Sequence, residues 1–485
     1  ITKEIDAAGN ELNYKYDSTL RLIKIIDAAG KITTLSYGIA TQPYLITAVT
    51  DPYGRSATMT YDTSGRLESV TDTIGITSRF DYAANGGMIA LNTPYGKTLF
   101  DTVIAGYRRE LTITNPIGQR ERYESIPSNA ALAQLPNVPP ATEIVSPEIP
   151  VRNYGYNTRA TVHWDKKGMK HYEGDYTKAT LTNWLTSPES TYKISGVMGA
   201  IKRPGEQTIF YKYPGQTTLD TAGTMDKPSI IARRLPNGQV QASYYSYNDW
   251  GLVTTAVDPL GRETQLEYDT NKYLLTKATQ KVGATYETLV EIPAYSATKR
   301  PLSIRDAAGK LTTMTYNSRG QITSMTDPLM RVTNFTYQEN SALAGYKQQK
   351  SVQSVIPANS SSVTFDSTDR IASSTGSDGY TASYFYDNLD RLTHATYPDA
   401  TFETYQYTHL DLVRSKDREN RVTERGYDGA RRLRWERDPL GQLTQYDWCS
   451  CGSLKELIDP KGNPTKWEVP VAAIRRRSIQ MVALI

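Results

Sequence analysis

Turn-forming tetrapeptides recur along this chain at nearly constant spacing, and that recurrence limits its fold more than any other feature. Asp6-Ala7-Ala8-Gly9, Asp27-Ala28-Ala29-Gly30, Asp51-Pro52-Tyr53-Gly54 and Asp72-Thr73-Ile74-Gly75 start 21, 24 and 21 residues apart. The register returns with Asp258-Pro259-Leu260-Gly261, with Asp306 and Asp327, and with Asp417, Asp438 and Asp459, where the last three are spaced 21 apart. Asp at the first position accepts backbone N–H groups further along the turn, Pro at the second presets φ, and Gly at the fourth takes positive φ. The residues assigned to turns on this ground are Asp51, Pro52, Gly54, Asp258, Pro259, Gly261, Asp438, Pro439 and Gly441. A type I turn followed by a left-handed glycine closes a hairpin with a small bulge.

A second punctuation falls halfway between these turns, in Tyr16-Asp17, Tyr61-Asp62, Tyr268-Asp269, Tyr316-Asn317, Tyr386-Asp387, Tyr427-Asp428 and Tyr446-Asp447. In Asp62-Thr63-Ser64-Gly65-Arg66, Asp62 and Gly65 are again turn residues. Between turns, Ala57, Met59 and Tyr61 alternate with Ser56, Thr58 and Thr60, a period of two that excludes an amphipathic helix. Reversals every ten or eleven residues predict an all-β meander of antiparallel hairpins, with strands roughly 20 Å long at about 3.4 Å per residue. Strand twist then makes a long ribbon coil, which also covers its edges.

Composition agrees with a thin wall rather than a thick core. Apolar residues are 38% of the 485, and 35 Tyr stand against 7 Phe, a preference for rings that pack along one side and hydrogen-bond at the tip. The net charge of +4 is spread along the chain, so nucleic acid is not expected as a partner; the run Arg475-Arg476-Arg477 reads as a solvated tail. No segment has the length and apolarity of a membrane helix. Cys449 and Cys451, placed on one strand, would share a face without bonding to each other, and read as two packed or free thiols.

Tyr61-Asp62-Thr63-Ser64-Gly65-Arg66-Leu67, followed by Val70-Thr71-Asp72, resembles the YD repeat of the rearrangement hot spot (RHS) family. Tyr386-Asp387-Asn388-Leu389-Asp390-Arg391-Leu392 repeats it with Asp390 in the glycine position. Clear repeats cover residues 1–123 and 236–468. Residues 124–150, with Pro127, Pro136, Pro139, Pro140, Pro147 and Pro150, read as an irregular crossing. Residues 151–235 read as divergent hairpins, with a short helix near Tyr176 to Leu185 as the alternative, and 469–485 as an atypical, truncated tail. The resemblance implies tandem YD/RHS hairpins forming a twisted, coiling ribbon that is part of a hollow β-shell. It also implies a secreted or cell-surface bacterial origin, a C-terminal toxin cargo carried by a longer parent chain of which this is a fragment, and contact with surface glycans or a delivery apparatus.

Carboxylates abound, but a turn role already accounts for the spacing of the aspartates. His163 and His171 have no third ligand at metal spacing, and His394 and His409 stand alone among strands. No nucleophile elbow, P-loop or dinucleotide fingerprint occurs. No catalytic, cofactor or metal residue is therefore assigned, no cofactor is expected, and sugar-facing aromatics cannot be picked out. Three functions remain: a wall segment of a toxin-enclosing shell, a cell-surface carbohydrate-binding or adhesion module, and, weakest, a polysaccharide-acting enzyme.

Overall fold

The computed structural model describes residues 1–106, 108–126, 159–218, 220–337, 349–354 and 360–467. Its local unit follows from the turn chemistry. At Asp62 the Gly65 N–H donates to the Asp62 carbonyl at 2.9 Å and the Asp62 N–H donates to the Arg66 carbonyl at 2.9 Å. This pair of bonds needs a left-handed residue in fourth place, and Gly65 has φ of +78°. Strands Ser56–Tyr61 and Leu67–Thr71 then pair antiparallel, with Thr58 opposite Thr71 and a register shift between Thr60 and Tyr61. The same shift precedes the tyrosine in the hairpins ending at Tyr16, Tyr82, Tyr316, Tyr337, Tyr386 and Tyr407. Within each unit, successive strands also pair antiparallel across the intervening turn, as Leu67–Thr71 does with Thr77–Tyr82 and Phe210 of Ile209–Lys212 does with Ala232 of Ile230–Arg234. The described chain is thus a nearly all-β meander of 38 strands.

Two units divide it. One comprises Ile1–Gly96, Leu266–Tyr427 and Glu436–Gln442; the other comprises Lys97–Gln265, Asp428–Trp435 and Leu443–Ile485. In the first, strand residues are mostly half-buried, as a single-layer ribbon requires. The second holds the one cluster of deeply buried apolar side chains that draws on more than two strands among the described residues. There Ile126, Ala160, Val162, Trp164, Met169, Tyr176, Ala179, Leu181 and Ala200 pack where a helix covers the sheet. That helix is Lys166–Tyr172, capped by the Asp165 carboxylate, which accepts the Gly168 N–H at 2.7 Å. Trp164, fully buried, donates its indole N–H to the Asp175 carbonyl at 3.1 Å.

Three sequence expectations change here. In the divergent zone the α-helix lies at Lys166–Tyr172, and of the alternative span 176–185 only Tyr176–Lys178 is helical, as a single 3-10 turn, because the alternation of buried Leu181, Asn183 and Leu185 makes Thr180–Ser187 a strand. Cys449 and Cys451 are joined by a disulfide, with Cα atoms 5.1 Å apart. They lie in a turn instead of along a strand, since the Gly452 N–H donates to the Cys449 carbonyl at 3.0 Å and the chain reverses between them. For the same reason Tyr446-Asp447 is not a turn opening. Both residues belong to strand Leu443–Trp448, and Trp448-Cys449 takes their place. The proline-rich crossing falls outside the described residues from 127 onward, as does the tail 469–485.

Candidate functional site: the ribbon margins

At the YD turns, Asp, Arg and Tyr form one interlocking unit. The Asp62 carboxylate accepts N–H groups from Ser64 and Arg66, both at 2.9 Å, and its second oxygen accepts Arg66 Nε at 2.7 Å. Asp17, Asp366, Asp387 and Asp428 repeat the arrangement with Arg21, Arg370, Arg391 and Arg432. The Arg66 N–H leads the causes that hold the Asp62 carboxyl below its ordinary range. At Asp366, burial works against ionisation, yet the Arg370 N–H, the Thr368 hydroxyl and the Arg370 guanidinium outweigh it and bring the pKa from 3.8 to about 2.

The same arginine reaches forward to the next repeat. Arg66 lies 4.8 Å from the centroid of the Tyr82 ring and donates to the Ala83 carbonyl at 3.3 Å. Arg21 over Tyr37, Arg370 over Tyr386 and Arg391 over Tyr407 do likewise, at 4.8, 4.9 and 4.3 Å. The tyrosine closes the unit backward. Tyr82 donates its hydroxyl to the Leu67 carbonyl, 15 residues earlier, at 2.8 Å. Tyr61 to Ile46, Tyr316 to Pro301, Tyr407 to Leu392 and Tyr427 to Leu412 keep the same separation. The motif Tyr-Asp-x-x-Gly-Arg-Leu is therefore one structural sentence: Asp fixes its own turn, Arg carries that turn to the next tyrosine, and that tyrosine returns to the Leu carbonyl. Trp448 substitutes for the tyrosine, donating Nε1 to the Leu433 carbonyl at 2.7 Å beneath Arg432.

At the opposite margin, the Asp51 carboxylate accepts N–H groups from Tyr53 and Arg55 and the Arg55 Nε. Gly54 sits at φ +83°. Asp258 accepts Leu260 N, Arg262 N and Arg262 Nε in the same way, with Gly261 at φ +78°. Asp438 accepts Leu440 N and Gln442 N, and Gly441 sits at φ +79°. Pro52, Pro259 and Pro439 occupy second positions, where no N–H is called for.

The two kinds of margin meet. In the first unit, the side with Asp6, Asp27 and Asp51 lies along the YD side of residues 317–411. Asn10 donates Nδ2 to the Arg319 carbonyl at 3.3 Å. The Tyr53 hydroxyl donates to Asp369 Oδ2 at 2.5 Å, and Lys31 forms an ion pair with the same carboxylate. Arg55 bridges its own Asp51 to Asp390 at 2.6 Å and donates to the Asn388 carbonyl at 3.2 Å. Tyr95 accepts the Leu410 N–H at 2.8 Å and meets the His409 ring edge-on. In the second unit, Gln119 donates Nε2 to the Cys449 carbonyl at 3.3 Å. These partners lie 309 to 338 residues apart in sequence. The sequence pattern alone does not show this seam, although the near-21-residue recurrence places Asp6, Asp27 and Asp51 on one edge and the YD turns on the other.

Two histidines are packed, whereas His171 and His409 are exposed. His163 stacks on Tyr123 at 4.2 Å, and His394 lies between Phe385 and Phe402. Among the described residues no group of three His, Cys, Asp or Glu side chains is arranged to hold a metal ion. No described helix is long and apolar enough to cross a membrane.

The RHS Repeat family model matches residues 16–56, 295–329 and 365–401. No curated protein matches the chain. The crystal structure of TcdB2-TccC3-TEV is similar to it with a TM-score of 0.55 at 14% sequence identity, covering 93% of this chain and 25% of that one. The crystal structure of TcdB2-TccC3-Cdc42 gives 0.47 at 12%, covering 94% and 26%. The Photorhabdus luminescens Tc holotoxin pore gives 0.46 at 13%, covering 93% and 26%. The first is a likeness of fold, and the chain spans about a quarter of the length of each of these structures.

Proposed function

Because the chain belongs to the RHS-repeat family, we propose that it serves as a wall segment of a shell that encloses or delivers a toxin, and that it does no chemistry of its own. The observation that carries this reading is the seam. A ribbon whose Asp-Pro margin recognises its own YD margin some 309 to 338 residues later is built to lie against itself, edge to edge, and so to make a surface from a strip. The clamps serve that end, because each arginine uses its donors to hold successive turns at fixed spacing.

The cargo in this reading is a toxin carried on the same longer chain, and the setting is the bacterial cell surface or exterior. Domain roles follow the same division: residues 1–123 and 236–468 supply the repeating wall, and 151–235 a divergent insertion thickened by its helix. Electron microscopy of these residues in their full coding context tests it. A closed particle with internal density that disappears when the downstream sequence is deleted is expected; an extended filament enclosing no volume would refute the reading.

A further inference from the structure

We propose that Cys449 and Cys451 form a thiol-exchange site, a disulfide that low-molecular-weight thiols open in the folded chain and whose opening releases the turn from Gln119. This inference does not depend on the shell reading.

The turn at 449–453 departs from its neighbours in what holds it. At Asp428 a carboxylate gathers the Ala430 and Arg432 N–H groups and the Arg432 side chain. At the equivalent place the chain has Cys449, with Ser453 where Arg432 stands in the preceding YD turn, so neither carboxylate nor guanidinium is available. The Cys449 sulfur accepts only the Cys451 N–H, at 3.0 Å, and the covalent link to Cys451 takes over the closing role. A bridge across a single intervening residue removes little chain entropy from the unfolded state, so bulk stabilisation does not account for it. Its effect is local: together with the Gly452 N–H at 3.0 Å it orients the Cys449 carbonyl, which also accepts Gln119 Nε2 from 330 residues away and Arg432 Nη1 at 3.5 Å.

The surroundings also suit exchange. Cys449 and Cys451 are half-exposed and flank exposed Ser450, which gives an incoming thiolate a line of attack. The stem of Lys166 passes 4.0 Å from where a side chain at Gly452 would begin, and the Arg432 guanidinium reaches the Cys449 carbonyl. In the exchange, a thiolate bonds to one sulfur as the Cys449–Cys451 bond breaks. A second thiol then displaces the mixed disulfide, so two small thiols are oxidised to their disulfide while the protein takes up two electrons and two protons.

Reduced glutathione is the probe, applied to the intact chain, with alkylation mapping and amide hydrogen exchange as readouts. Both cysteines should become alkylatable with the β-sheet circular dichroism unchanged, and amides of 115–119 and 449–453 should exchange roughly tenfold faster while 62–66 does not change. In a Cys449→Asp/Cys451→Ser variant, which restores the carboxylate turn, glutathione should have no effect. Cys451→Ser alone should exchange quickly at 115–119 with or without glutathione. A disulfide that resists glutathione until the chain unfolds, free thiols in the chain isolated under air, or unchanged exchange at 115–119 after reduction would each overturn the proposal.

Discussion

Gly441 and Gly65 separate two ways in which a turn glycine is needed. Gly441 sits at φ +79° with nothing within 4 Å of the place a β-carbon would take, so Gly441→Val meets backbone strain alone. Gly65 adds a neighbour, the Gln42 amide at 3.1 Å. Both substitutions are expected to destabilise the fold by about 1–3 kcal/mol, read from the shift in denaturant midpoint, with Gly65→Val the more costly. Left-handed Asp390 and Leu20 show that the position tolerates other residues, and at Asp390 the carboxylate also binds Arg55. Tyr82→Phe keeps the ring beneath Arg66 but removes the bond to the Leu67 carbonyl, and is expected to cost about 0.5–1.5 kcal/mol in the same measurement. Acid acts on the clamp carboxylates. Their folded pKa values are depressed, as at Asp366 from 3.8 to about 2, so their contribution is complete above pH 4 and is lost as pH falls from there toward 2. A pH titration of the midpoint should decline in that window, and a flat profile there would mean that the carboxylates carry no share.

At the scale of the hairpin, the strands and turns are legible in the sequence because their causes are local. Alternation over Ser56–Tyr61 and the Asp-x-x-Gly punctuation act within a few residues, and the antiparallel pairing follows from them. The pattern misleads where one residue stands in for another. Trp448 takes the tyrosine's place and Cys449 the aspartate's, so the motif points to Tyr446-Asp447, two residues early. The helix Lys166–Tyr172 escapes sequence reading for a similar reason: its cap Asp165 is visible, but the apolar face that seats it combines the adjoining strand Ala160–Trp164 with Ile126 and Ala200 from other strands. The arginine's second role is hidden too, since its target is a ring 16 residues on and a carbonyl 17 on, beyond any single turn. Arg66→Lys keeps the charge but loses the planar fork, and is expected to lower stability by about 1 kcal/mol or more, measured by chemical denaturation.

For the molecule, what matters is whether the margins recognise each other, because hairpins alone give a strip and only a seam makes a surface. Tyr53→Phe and Asp369→Asn, 316 residues apart, are expected to be coupled by about 0.5–3 kcal/mol in a double-mutant cycle, whereas Tyr82→Phe and Asp369→Asn should add. The most direct test is carbodiimide cross-linking of the folded chain with mass-spectrometric mapping, which joins only an amine and a carboxylate already in contact. Lys455 and Asp447, 2.8 Å apart across one hairpin, serve as the internal control. A Lys31–Asp369 cross-link at yield comparable to that control is the expected result. Efficient linking of Lys455 to Asp447 with none between Lys31 and Asp369 would contradict the account.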